Sequence, residues 1–312
     1  MEKIVSFVKN WTLPIAMTVG VLTYIFFHLT PMAVEIKEAV WKVDSVLTPT
    51  LIFLQLLLTF CKVEPRAFRF RRWHLWLLLI QLFGSTAAYL VLVPVSPLLA
   101  QGALVCLICP TATAAAVITG KLGGSAETLI TYTMLVNFMA AIYVPIVFPL
   151  VYRSGDITFV EAFLRIVGRV FPLLILPFLL AQFLRRFAFR LHQWLRENSG
   201  MAFYIWALAL AIVMGKTAKS IVDDSGDMQA VVSLALVSLA VCCFQFAVGK
   251  VIGGQYGDRI SGGQAIGQKN TVLAIWMAFT YLNPVVTVAP GAYVLWQNII
   301  NSYQLWKRRK RA

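Results

Sequence analysis

Apolar stretches recur along the chain, each long enough for a membrane span and separated by short polar or basic punctuation. The pattern predicts ten helices, near Trp11–Leu29, Val43–Cys61, Leu75–Val93, Leu98–Thr119, Thr128–Tyr152, Phe159–Leu184, Met201–Ile221, Ala230–Ile252, Gly262–Leu282 and Val285–Leu305. The first carries an internal Pro14 and is followed by no small-residue cleavage pattern, so it reads as a permanent span, not a signal peptide. Two stretches are interrupted. The fourth breaks at Pro110–Ala116, the ninth at Gly267–Thr271.

Composition agrees with this reading. Of 312 residues, 60% are hydrophobic and 13% charged, and mean hydropathy is +0.78. A soluble domain carries about 25% charged residues. A cytosolic enzyme, a secreted domain and a disordered scaffold are excluded. A span takes roughly 20 residues, so no room remains for a sizeable soluble domain. The five cysteines, Cys61, Cys106, Cys109, Cys242 and Cys243, fall within apolar stretches at spacings that suit neither a disulfide framework nor a metal site.

The formal charge of +14 reads as a topology signal, not as nucleic-acid binding. With the N-terminus cytoplasmic, one side holds Lys3, Lys9, Lys62, Arg66, Arg69, Arg71, Arg72, Lys121, Arg185, Arg186, Arg190, Arg196, Lys250, Arg259 and Lys307–Arg311, or 19 of 27 basic residues. The other side holds five: Lys37, Lys42, Arg153, Lys216 and Lys219. Arg165, Arg169 and Lys269 lie within spans. This alternation predicts ten helices with both termini cytoplasmic in a bacterial inner membrane, and an odd count would scramble it.

The chain also repeats itself. Pro14 is answered by Pro172 after 158 residues, the first break by the second after about 156, and Asn137 by Asn298 after 161. Two five-helix halves, 1–153 and 154–312, would then be inverted relative to each other. Broken helices at matching positions of inverted halves point to a secondary transporter with its site at mid-membrane.

Lys269 carries the sharpest chemistry. A lysine inside a span costs from ~2.5 to above 10 kcal/mol, depending on the reference state. Ten residues from Arg259 is about 15 Å of helix, too deep to snorkel comfortably. All 13 acidic residues read as lying in loops or near span ends, with Asp44 near the start of span two, Glu127 opening span five and Glu161 early in span six. The ammonium is left to backbone carbonyls, to Gln81 or Asn137, or to an anionic substrate; otherwise it loses its proton.

The run Cys109-Pro-Thr-Ala-Thr-Ala-Ala-Ala-Val-Ile-Thr119 resembles the Cys-Pro-Gly-Gly-Thr-Ala-Ser-Asn-Val-Met-Thr break of the bile acid:sodium symporter family. Ala265-Ile-Gly-Gln-Lys-Asn-Thr-Val-Leu-Ala274 is similar to that family's Glu-Val-Gly-Met-Gln-Asn-Ser-Gly-Leu-Ala, and Pro290-Gly-Ala-Tyr-Val-Leu-Trp-Gln-Asn298 to its Pro-Gly-Ala…Trp-His-Asn. The resemblance implies an all-α membrane fold of ten helices, with broken helices 4 and 9 crossing. A panel (spans 1, 2, 6, 7) would move against a core (spans 3–5, 8–10). It implies substrate contacts at Thr113, Asn270, Gln297 and Asn298, to which Thr111 of the first break is added, and leaves Gln81 and Thr133 as surviving sodium-site positions; with Lys269, Gln268 and Asn137 these form the expected ion-coupling set. The family's sodium positions are mostly lost here: its Ser-Asn pair becomes Ala115-Ala116, its Glu becomes Ala265, its ligand Gln becomes Lys269, and its serine early in span five becomes Leu129. A hard cation needs several oxygen ligands. The expected function is therefore alternating-access transport of an organic anion, with Lys269 replacing the cation. No cofactor is expected, Na⁺ is disfavoured and proton linkage stays open.

Three other readings remain: a sodium-coupled symporter, a sensor on a transporter scaffold, and a metalloid permease using Cys109. An intramembrane enzyme lacks the necessary motifs, since His28, His74 and His192 sit at span edges or in a loop. The expected partners are the anion and the lipid bilayer, with no nucleic acid; oligomeric state and the identity of the anion are not legible.

Overall fold

The computed structural model describes residues 2–30, 34–63, 68–152, 157–223 and 227–310; side chains of 2–11, 34–37 and 41 are left aside. The predicted topology residues Arg66, Arg153 and Arg311 lie outside the described residues, as do the side chains of Lys3, Lys9 and Lys37. Among the described residues there are thirteen α-helices and no strand. They are α1 (Glu2–Leu29), α2 (Val34–Phe60), α3 (Arg72–Leu92), α4 (Pro97–Ile108), α5 (Ala115–Leu122), α6 (Ala126–Val151) and α7 (Phe159–Phe187). The second half holds α8 (Phe189–Glu197), α9 (Met201–Asp223), α10 (Met228–Gln255), α11 (Arg259–Gly267), α12 (Thr271–Tyr281) and α13 (Val288–Arg309).

Seven of these, α1, α2, α3, α6, α7, α9 and α10, contain an apolar segment long enough to cross a membrane. The stretches predicted as spans four and nine are each split, into α4–α5 and α11–α12. α4 and α12, at 12 and 11 residues, are too short to cross alone. Large apolar side chains such as Phe26, Phe83, Val91, Leu164 and Leu236 remain exposed on the helix exteriors, a surface only lipid would solvate.

Local chemistry sets the element boundaries. Ser96 caps α4 by accepting from Leu99 N at 3.4 Å, with Pro97 in the first turn. Ser125 caps α6, Thr158 caps α7 and Asp227 caps α10 in the same manner. Gly123, at φ +84°, ends α5 in the left-handed region that glycine tolerates. Prolines 14, 49, 145, 149, 172 and 177 lie inside α1, α2, α6 and α7.

Some expectations need correcting. α8 is a short helix, not a loop, and carries Arg190, His192 and Arg196. It packs on α7 and α2. Lys216 and Lys219, counted with the outer face although they fall within the predicted span Met201–Ile221, lie inside α9, which extends to Asp223. Asp44 lies well inside α2, which begins at Val34.

Packing sorts the helices. α1 lies against α9, and α2 against α7 and α9; α10 runs along α11, α13 and α4, and α3 sits on α4. α6 contacts α7, and the outer part of α9 touches α12, the following 3-10 turn (Pro284–Thr287) and α13. One end of the bundle holds the contacts of Arg308 with Lys121 O, Thr128 with Asp258, Trp76 with Tyr256 and Arg69 with Glu127. Tyr24, His28, Asp44 and Asp223 line one cavity at the other end.

Candidate functional site at the helix crossing

Pro110 cannot donate a backbone hydrogen bond and disfavours helix in the residue before it, so α4 stops at Ile108. The second break, Gln268–Asn270, passes directly against the first. Thr111 and Lys269 form an isolated antiparallel bridge. Ala112 N donates to Gln268 O and Asn270 N to Pro110 O, each at 2.9 Å. The backbone groups freed by two broken helices thus satisfy each other, the condition for non-helical chain at membrane depth. The Thr111 hydroxyl adds a 2.5 Å bond to Ala265 O.

Four helix ends meet here. α4 and α11 end at the crossing and present carbonyls; α5 and α12 begin there and present amides. Asn270 caps α12, its Oδ1 accepting from Leu273 N at 3.3 Å.

Lys269 is 1% exposed, and its ammonium donates to Leu107 O at 2.9 Å. Gln81 donates through one amide nitrogen to Ile108 O at 2.9 Å and Cys109 O at 3.0 Å, and accepts from Tyr132 Oη at 3.0 Å. The negative end of α4 is therefore covered by a cation and a carboxamide. The Cys109 thiol donates to Asn270 O at 3.0 Å. Among the described residues, the fully buried polar set contains two lysines, Lys216 and Lys269, and no carboxylate.

α13 braces the second break. Gln297 Oε1 accepts from Lys269 N at 2.8 Å, and Tyr293 Oη donates to Gly267 O at 2.9 Å. Gln268 is buried, and its Oε1 has no partner among the described residues.

Of the expected site residues, Thr111, Lys269, Asn270, Gln297 and Gln81 come together at the crossing, with Gln268 and Thr113 on its two strands of chain. Thr133, Asn137 and Asn298 instead make bonds along their own helices. Thr133 Oγ1 donates to Leu129 O, Asn137 Nδ2 to Thr133 O and Asn298 Nδ2 to Val294 O. Asn137 keeps a buried Oδ1 without a partner.

Sequence reasoning missed four residues. Gln55, on α2, is buried and donates to Thr113 Oγ1 at 3.0 Å, tying a neighbouring helix to the first break. Asp44 and Lys216 form an ion pair at 2.8 Å, with side chains 14% and 5% exposed. Thr48 donates to Asp44 Oδ1 at 2.7 Å and accepts from the lysine at 3.4 Å. The signal was present: Asp44, Thr48 and Gln55 fall at helical spacing on one face of α2, within an otherwise apolar run. The same pair borders a mostly apolar cavity of about 890 Å³ between α1, α2 and α9, set apart from the crossing.

A family model described as the SBF-like CPA transporter family matches residues 2–300. No curated protein matches the chain closely enough to count as a relative.

Proposed function

The chain belongs to the SBF-like CPA transporter family, and from that premise we propose that this membrane transporter carries an organic anion, independently of sodium, by alternating access around the helix crossing. The reading takes the chain as ten crossings in two inverted halves. α1, α2, α7 and α9 would form the panel, and α3–α6 with α10–α13 the core. Support comes from the contacts within each group and from breaks that meet about half a chain apart. The basic end is read as cytoplasmic, in a bacterial inner membrane.

The observation that carries the coupling proposal is the Lys269 ammonium on Leu107 O, beside Gln81 on the next two carbonyls. A cation at a helix C-terminus offsets the dipole there. With Ala265 and Ala115–Ala116 offering no side-chain oxygen, a resident ammonium replaces a metal ion that would otherwise hold the two breaks together. In this reading Lys269 serves as the resident cation of the crossing, held on Leu107 O.

The anion's carboxylate or sulfonate would then lie against the amide ends of α5 and α12, with Thr113, Asn270, Gln297 and Asn298 as hydrogen-bonding neighbours. Thr111 shapes the break that aims these amides. Gln268, Thr133 and Asn137 line the coupling side in this reading.

A thermal-shift screen of organic anions on purified protein, repeated with sodium replaced by choline, tests the proposal. A ligand that binds the folded state raises its unfolding temperature. The expected hit shifts the midpoint equally in either salt, and the same anion enters proteoliposomes without a sodium gradient. Steep sodium dependence of uptake would overturn the resident-cation reading. Binding with no counterflow would favour a sensor.

A further inference from the structure

α6 and α7 pack together across the two helix groups, and the remaining contacts between the groups differ at the two ends. At the end holding Asp223, α9 packs on α12, the 3-10 turn and α13. A Cβ placed on Gly291 would sit 3.5 Å from Thr217 Cγ2 and 4.0 Å from Met214 Sδ. At the opposite, basic end, α5 packs on α6, α11 and α13. It leaves Ala114, Val117 and Lys121, one helical face, exposed, with Val117 at 55%.

Lys216 sits at the closed seam. Its ammonium is held by Asp44 and Thr48 from α2, and it lies 5.3 Å from the centre of the Phe279 ring on α12. A desolvated cation over an aromatic face is attracted by the ring's quadrupole. The contact spans the seam, since Asp44 and Lys216 belong to one helix group and Phe279 to the other. A buried ion pair within one group contributes little net stability once its desolvation is counted. Presenting a fixed charge to the other group is a use that repulsion and hydration do not undo.

Resting on the transport reading above, we propose that Lys216 is a positioning residue of the transport cycle: oriented by Asp44 and Thr48, it latches α9 to Phe279 and holds the non-basic end shut. Opening that end separates ring from ammonium while the ion pair travels intact with α2 and α9. In this reading the basic end, where Val117 and Lys121 of α5 are exposed, is the accessible one.

The test needs no substrate. Thr217, 5% exposed at the seam, is replaced by cysteine in a chain carrying Cys243→Ser, which removes the exposed native thiol. A membrane-impermeant maleimide is applied from the Asp223 side. The expected result is slow labelling that Phe279→Ala accelerates about fivefold or more, the factor matching loss of a contact worth about 1 kcal/mol. Phe279→Tyr, which keeps the ring, restores the slow rate. A labelling rate within about twofold of the parent for Phe279→Ala overturns the latch. So does acceleration accompanied by an equal fall in thermal midpoint for the alanine and tyrosine variants, which marks general loosening. Failure of anion uptake with the labelling pattern intact would instead sink the transport reading and leave the latch.

Discussion

Lys269 Nζ reaches Leu107 O at 2.9 Å across 162 residues of sequence, joining the second break to the end of the helix that precedes the first. This single bond puts a positive charge where four helix ends converge. The substitution that removes it should also reveal what it replaced. Lys269→Gln with Ala265→Glu restores a carboxylate and a carboxamide to the crossing, beside the existing Gln81. The expected outcome is a sodium-dependent rise in thermal midpoint that the parent lacks. A site filled at 100 times its dissociation constant would contribute about 2.7 kcal/mol. Equal midpoints in sodium and choline for the double variant would mean that the ammonium does not occupy a cation position.

The Asp44–Lys216 pair predicts strong non-additivity. Asp44→Asn leaves a buried ammonium without its counter-ion, and Lys216→Met leaves the carboxylate without its partner. Either single change should cost about 3–5 kcal/mol, whereas the double substitution should cost far less, because no uncompensated charge remains. Chemical denaturation of the four proteins in one detergent measures the cycle. Additive losses would mean that the two charges act independently despite the 2.8 Å separation.

How far the sequence reached depends on which signal each residue carried. The breaks were legible because Pro110 and the glycines around Gln268 interrupt apolar runs, and chemistry forces such interruptions to meet other backbone. Lys269 was legible because a lysine that deep needs a partner; that its partner is Leu107 O was not, since any carbonyl at that depth would serve. Lys216 and Asp44 were misread for a physical reason. Each falls toward one end of a predicted span, where a charged side chain reads as facing the membrane surface, and only the fold shows that two such residues, 172 positions apart, lie opposite each other. α8 was missed because its polar face lowers its hydropathy, although its short helical periodicity was there to find.

Gly249 and Gly262 let α10 and α11 approach backbone to backbone. A Cβ on Gly249 would fall 2.2 Å from Gly262 O, and one on Gly262 would fall 2.4 Å from Gly249 O. Neither neighbour is a side chain that can swing away. Gly249→Ala should therefore push α11 outward and strain the second break it leads into, at a cost of about 1–3 kcal/mol. Gly254→Ala, whose Cβ would meet only the Arg259 side chain at ordinary contact distance, is the matched control on the same helix. A thermal midpoint for Gly249→Ala no lower than that of Gly254→Ala would show that the close approach is dispensable.

His192 gives α8 a pH signature. Its side chain is buried, and that burial, reinforced by Arg185 and Arg196 nearby, lowers its pKa from the ordinary 6.5. The folded state thus favours the neutral ring more than the unfolded state does. When the pH falls below about 6.5 the unfolded chain takes up the proton first, so stability declines with acidification until the folded-state pKa is passed. His192→Gln removes this titration while keeping a polar side chain of similar reach. Thermal midpoints measured between about pH 5 and pH 8 should fall less steeply on the acid side for the variant than for the parent. Parallel curves would show that α8 does not resist protonation at this position and that the acid sensitivity lies in other groups.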